Sequence, residues 1–178
     1  VVGPDTDEER QPALPAAEDQ DGAEGEKEGQ AAEEQGAVAE ALVAVEVVRV
    51  AVAIRRGEQA AEVSEFGEAL KEYQKALETQ RTSSLAHYRI AEVFFLQNNF
   101  QSAANEFREV LNGDLEPKWT EVWSHINLGK IFDITGQRER AVNEYNQAVR
   151  TKDNTQGAQE EAGKYLKTPY ERQRREER

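Results

Sequence analysis

Residues 128–148 read LGKIFDITGQRERAVNEYNQA, and this stretch decides the fold. It predicts two helices, about Lys118–Ile134 and Arg138–Arg150, parted at Thr135–Gly136 by residue types that cap or turn a chain. Gly129 on the first helix and Ala141 on the second are small enough to let the two helices approach closely. Tyr145 is large enough to fill the gap toward a neighbouring unit.

The same design recurs toward the amino terminus. Phe66, Ala69, Leu70, Tyr73, Ala76 and Leu77 fall at three- and four-residue steps, which line one helix face. Leu85, Tyr88, Ile90, Ala91, Phe94 and Phe95 do so next, then Phe100, Ala103, Ala104, Phe107, Val110 and Leu111. Breaks fall at Thr82–Ser84, Asn98–Asn99, Asn112–Pro117 and Lys152–Gly157. Aligning the helices on their small residues matches Gly57 with Ala91 and Gly129, Ala69 with Ala103 and Ala141, and Tyr73 with Phe107 and Tyr145. The spacings are 34 and 38 residues.

A 34-residue helix–turn–helix unit with small residues at fixed places resembles the tetratricopeptide repeat, here a short array of the bacterial type. The third unit carries the resemblance best, in Leu128-Gly129, Phe132, Gly136, Ala141, Tyr145 and Ala148; the second shows Ile90-Ala91, Phe94, Ala103 and Phe107. In the first unit Gly57, Phe66, Ala69, Tyr73 and Ala76 fit, whereas Ala53, Arg56 and Ala60 stand where the family is large and apolar. The resemblance covers about residues 50–155. It implies an all-α fold of stacked antiparallel helix pairs, an α-solenoid, because no single pair can bury both its faces. The four extra residues between the second and third units lie in NGDLEPKW (112–119), where a longer loop is expected with Pro117 starting the next helix.

The expected organisation is a disordered acidic tail over 1–36, a Val/Ala-rich helix over 37–56, a repeat domain over 57–167 that ends in a solvating helix, and a charged tail over 168–178. Residues 1–36 hold twelve acidic residues against Arg10 and Lys27, a net −10 of the chain's −13, and no aromatic residue. Such a stretch buries too little apolar surface to offset the entropy of ordering it. The segment 37–56, AVAEALVAVEVVRVAVAIRR, has valines that alternate as in a strand, but its alanines, its length and the repeat register favour a helix. Glu40, Glu46 and Arg49 argue against a membrane span. The remaining −3 over residues 37–178 argues against nucleic acid as a partner. With no cysteine, disulfides, thiolate zinc sites and cysteine nucleophiles are excluded. The chain begins at Val1 rather than methionine, which leaves a processed bacterial protein, periplasmic or extracellular, among the readings.

No constellation of residues supports catalysis. His87 and His125 occupy equivalent places, roughly one helix diameter of about 10 Å apart, too far to share a metal. They read as packed structural residues, and neither a metal nor a cofactor is expected. Glu160, Glu161 and Lys164, and Asp133 with Lys130, read as surface ion pairs. What the resemblance implies is a surface: the first helix of each unit lines a concave groove that holds a polypeptide segment. Carried over, the groove comprises Leu85, Tyr88, Glu92, Phe95 and Leu96, then Trp123, Ile126, Lys130, Asp133 and Ile134. Ile54, Glu58, Trp123 and Asn127 stand where relatives that grip a terminal carboxylate carry Lys, Asn and Arg, and Arg89 is the only base there, which argues against such a clamp. The expected function is a non-enzymatic scaffold that binds a protein or peptide segment. The alternative is a homo-oligomer or filament in which residues 37–56 pack on a neighbouring copy.

Overall fold

The computed structural model describes residues 20–172, and among these all regular structure is helical. The chain divides into two units, Val1–Val43 and Ala44–Arg178. Helix α1 (Gln20–Glu62) spans the division. Its stretch from Gln20 to Gly36 is helical and lies within the acidic segment. Residues 1–19 lie outside the described part. The Val-rich segment is helical, as its alanines and the register predict.

The second unit continues with α2 (Phe66–Thr79), α3 (Ser84–Leu96), α4 (Phe100–Asn112), α5 (Trp119–Ile134), α6 (Arg138–Thr151) and α7 (Ala158–Lys167). The end of α1 packs with α2, α3 with α4, and α5 with α6, and α7 closes the stack against α6. Ser83 and Asn99 cap α3 and α4 with side-chain oxygens that accept from the main-chain N–H of Ala86 and Ser102. The turn inside each pair carries a left-handed residue at the same place: Ser64 (φ 62°), Asn98 (φ 63°) and Gly136 (φ 75°). Asn and Gly are the residues that reach this region at least cost.

The aligned small residues do what the spacing predicts. Ala69, Ala103 and Ala141 are fully buried at 0% exposure. A Cβ built on Gly57 would stand 2.4 Å from the Tyr73 ring, and one on Gly129 would stand 2.4 Å from the Tyr145 ring. Both glycines therefore serve as seats for an aromatic ring from the facing helix. Gly163, the same slot in α7, has no atom within 4 Å of a would-be Cβ.

The extra loop starts the next helix later than expected, with α5 beginning at Trp119 rather than Pro117. It is pinned to the loop before α3. Asp114 accepts from the Ser84 N–H (3.1 Å) and from Gln80 Nε2 (2.6 Å), and Ser84 Oγ accepts from the Leu115 N–H (2.9 Å).

Candidate partner-binding face

The first helices of the pairs bring one side of α3 beside one side of α5. An α-helix presents residues three and four apart on the same side. Leu85, Arg89, Glu92 and Leu96 therefore form one row, and Trp123, Asn127, Lys130 and Ile134 form the matching row 38 residues on. Leu85, Glu92, Phe95, Trp123, Lys130 and Ile134 are half-buried, and Leu96 is 55% exposed.

Two expected groove residues point elsewhere. Ile126 is 0% exposed and Tyr88 is 4% exposed, and both belong to the core. They sit one residue off the row, toward the second helices. Tyr88 meets Phe107 and Trp119 edge-on at 5.5 and 5.0 Å. Its hydroxyl accepts from Asn127 Nδ2 (3.1 Å), which reaches across from the next pair.

Arg89 organises the amino-terminal part of this face. It pairs with Glu92 on its own helix and with Glu58 on α1, both at 2.8 Å. Its guanidinium also lies 5.8 Å from the centre of the Trp119 ring. Burial pushes the Glu92 carboxyl up, against the opposing pull of Arg89. Burial also opposes the Arg89 charge, but the two carboxylates outweigh it and hold its pKa above the usual value. Beside this cluster opens a cavity of about 290 Å³ whose wall includes Ala61, Arg89, Glu92, Phe95, Leu96 and Asn127.

Asp133 organises the carboxy-terminal part, and here the sequence reading needs correction. It is not a surface partner of Lys130. Its side chain is 1% exposed, and its carboxylate accepts from Arg138 Nη1 on both oxygens (3.0 Å), from the Tyr145 hydroxyl (2.9 Å) and from the Tyr170 N–H (2.8 Å). Arg138 also donates to the carbonyls of Tyr165 and Leu166 (2.7 and 3.0 Å), which caps the end of α7. Lys130 instead pairs with Glu161 on α7 (2.6 Å), so Glu161 is a partner between helices rather than a local surface charge. The spacing of Gly129, Asp133 and Tyr145 holds the signal for this hub. An acid one turn beyond a glycine that seats a tyrosine ring stands near that tyrosine's hydroxyl.

Beyond α7 the chain turns back across this face. Thr168 is extended, and the Tyr170 ring meets Tyr165 edge-on at 5.2 Å. Arg172 reaches the turn between α3 and α4. There it donates to Asn98 Oδ1 and lies 5.8 and 6.0 Å from the centres of the Phe95 and Phe100 rings. A second cavity, about 610 Å³, opens between this segment and Phe95, Leu96, Lys164 and Tyr165.

The histidines are structural partners of glutamates. His87 Nδ1 lies 2.7 Å from Glu106 Oε2, and His125 Nδ1 lies 2.8 Å from Glu144 Oε2. In the first pair the histidine slot holds Ala53, while Glu72 remains in the glutamate slot. Glu72 Oε2 is buried there without a hydrogen-bond partner. Among the described residues no group of three or more His, Asp or Glu side chains could hold a metal ion, and no helix is long and apolar enough to cross a membrane.

The tetratricopeptide repeat family matches residues 124–155, the third pair. No curated protein matches the chain. Solved structures of the same fold do. A crystal structure of MamA is 18% identical, with a TM-score of 0.51 over 66% of this chain and 74% of that one. YrrB, described as a tetratricopeptide-repeat protein with an unusual peptide-binding site, is 23% identical, with a TM-score of 0.52 over 62% of this chain and 55% of its own. The O-GlcNAc transferase of Thermobaculum terrenum is 19% identical, with a TM-score of 0.51, and the match takes in only 19% of its length. These likenesses identify the fold as a tetratricopeptide-type stack.

Proposed function

We propose that this tetratricopeptide-type stack is an interaction scaffold that takes an extended polypeptide segment along the face lined by α3 and α5. The observation that carries the reading is the open cavity beside Arg89. It combines apolar walls (Ala61, Phe95, Leu96) with hydrogen-bonding groups already held in place by neighbours (Arg89, Glu92, Asn127). Such a mixture suits a peptide, whose main chain needs polar partners and whose side chains need apolar ones. That YrrB is described as having a peptide-binding site supports it as an analogy of fold.

The test is selection of displayed random peptides against the full chain, followed by affinity measurement with Ala61→Arg. The long side chain would fill the cavity from its wall. Selected peptides should weaken about tenfold or more, the loss of roughly 1.4 kcal/mol of contact. Unchanged affinities, with the helical content intact, would place the binding surface elsewhere.

A second reading has its own observation. Val38, Leu42 and Val43 of the first unit, and Val45, Val47, Val48 and Val52 of the second, are exposed large apolar residues on α1. Exposed apolar surface on this scale marks contact with another macromolecule. Self-assembly through α1 predicts a mass that rises with concentration in light scattering and falls to that of one chain when Val45 and Val48 are changed to Glu.

A further inference from the structure

The segment that follows α7 lies on the proposed binding face, and its contacts describe the chemistry that this face accepts. Three groups receive it, and each is held without its help. Asp133 is fixed by Arg138 and Tyr145, and its Oδ2 accepts the main-chain N–H of Tyr170. Lys130 is fixed by Glu161, and its ammonium lies 5.7, 5.5 and 5.4 Å from the centres of the Trp123, Tyr165 and Tyr170 rings. Phe95 and Phe100 meet edge-on at 5.7 Å, and the Arg172 guanidinium lies beside both rings.

A carboxylate that reads a main-chain N–H is indifferent to the side chain, so it selects an extended backbone. The aromatic surround of Lys130 selects another ring. The phenylalanine pair with the Asn98 amide oxygen selects a planar cation two residues further on. The occupying segment is held at two residues, Tyr170 and Arg172. Thr168, Pro169, Glu171 and Arg172 are exposed, and the segment makes no helical hydrogen bonds past Thr168.

We propose that this half of the face is a recognition site for an extended segment carrying an aromatic residue followed two positions later by an arginine, and that the chain's own Tyr170 and Arg172 fill it until a partner of that kind displaces them. The inference rests on the reading of this face as a peptide site and adds the partner's chemistry and a built-in competitor. A tethered competitor presents itself at roughly millimolar effective concentration, so it masks the site from weak partners and yields to stronger ones.

The experiment uses a fluorescein-labelled peptide of residues 168–178 as the probe, with anisotropy read against the full chain. The wild-type chain should bind it weakly. The full-length variant Tyr170→Ala/Arg172→Ala should bind it saturably and at least ~10-fold more tightly, because the tethered competitor is gone. A scrambled peptide of the same composition should show no such gain. Arg172→Ala alone changes an exposed side chain and repeats the test without disturbing Tyr170 against Tyr165. Equal affinity of wild type and both variants, or equal binding of the scrambled peptide, overturns the proposal. Ala61→Arg fills the other cavity, which shares Phe95 with this site but none of Asp133, Lys130, Asn98 or Phe100, so a loss confined to Ala61→Arg bears on the broader reading of the face and not on this one.

Discussion

Replacing Gly129 with alanine sets two effects of known sign against each other. Within a helix, alanine is favoured over glycine by about 1 kcal/mol. Position 129 lies inside α5, so backbone propensity alone predicts stabilisation. The new methyl would, however, stand 2.4 Å from Tyr145 Cε1 and 2.7 Å from Cδ1. Carbon atoms rest at roughly 3.5–4.0 Å, so the ring or the helix must yield by more than 1 Å or so. The ring has little room: it is fully buried, and its hydroxyl donates to Asp133 at 2.9 Å. Overpacking of this kind costs about 1–3 kcal/mol, and weakening a hydrogen bond to a charged group adds about 1.5 kcal/mol or more. The net expectation is destabilisation by roughly 1–3 kcal/mol, several degrees in Tm for a unit of this size. Gly163 supplies the control. It occupies the same slot in α7 with nothing within 4 Å of its would-be Cβ. Gly163→Ala should therefore stabilise by up to about 1 kcal/mol. Urea unfolding followed by circular dichroism measures both. If Gly129→Ala matches or exceeds the wild type, or if the two substitutions shift stability in the same direction, the seat of the tyrosine ring is not what selects glycine.

Ala141→Leu should overpack the crossing of α5 and α6, where Ala141 is fully buried, and lower stability by about 1–3 kcal/mol in the same unfolding assay. His87 has its pKa raised chiefly by the hydrogen bond with Glu106, against an opposing effect of burial. A raised folded-state pKa means that the contribution is complete below the ordinary histidine value of about 6.5 and fades as pH rises through the folded value. Glu106→Gln should accordingly cost about 1 kcal/mol at pH 5.5–6 and much less at pH 8.5, and a pH-independent cost would assign Glu106 another role. Glu72 keeps a buried oxygen unpartnered where its equivalents meet histidines. Its other oxygen pairs with Lys75, and Glu72→Gln removes that ion pair together with the charge, so stability should change by no more than about 1 kcal/mol in the same assay.

The stack was legible because its rule is local and repeated. Small residues 34 and 38 apart, each facing an aromatic residue 16 positions later, can be found without knowing which helix touches which. Gly57 with Tyr73 and Gly129 with Tyr145 are the contacts that this spacing encodes. The candidate face was legible in part. Helical periodicity places Leu85, Glu92, Leu96, Trp123, Lys130 and Ile134 on one face, yet Tyr88 and Ile126 turn inward, because a shift of one residue rotates a side chain by about 100°. Asp133 and the 168–172 segment were not legible as a pair. Nothing local says that a carboxylate on α5 accepts a main-chain N–H lying 37 residues further along. Likewise Lys130 could pair with Asp133 as its helix neighbour, and only the placement of α7 brings Glu161 closer.

The row of equivalent positions Ala61, Phe95, Asp133 and Lys167 shows where repetition stops determining function. The fold assigns all four to the same place on successive first helices, and their chemistry differs at each step. Ala61 leaves space and thereby shares in an open cavity. Phe95 pairs with Phe100 to make an aromatic surface on which a guanidinium rests. Asp133 turns the place into an acceptor for an extended main chain. Buried small residues and rings are held constant because any change there disturbs two helices at once. This row is free of the ring-and-glycine seats, and its residue type differs from pair to pair, with Asp133 tied into the neighbouring helix through Arg138 and Tyr145. Under the proposed function, a peptide laid across the stack would meet a hollow, then a ring pair, then a carboxylate. That proposal puts specificity in the order of those three groups, so reversing a bound peptide's sequence should abolish its binding even though composition and charge are unchanged.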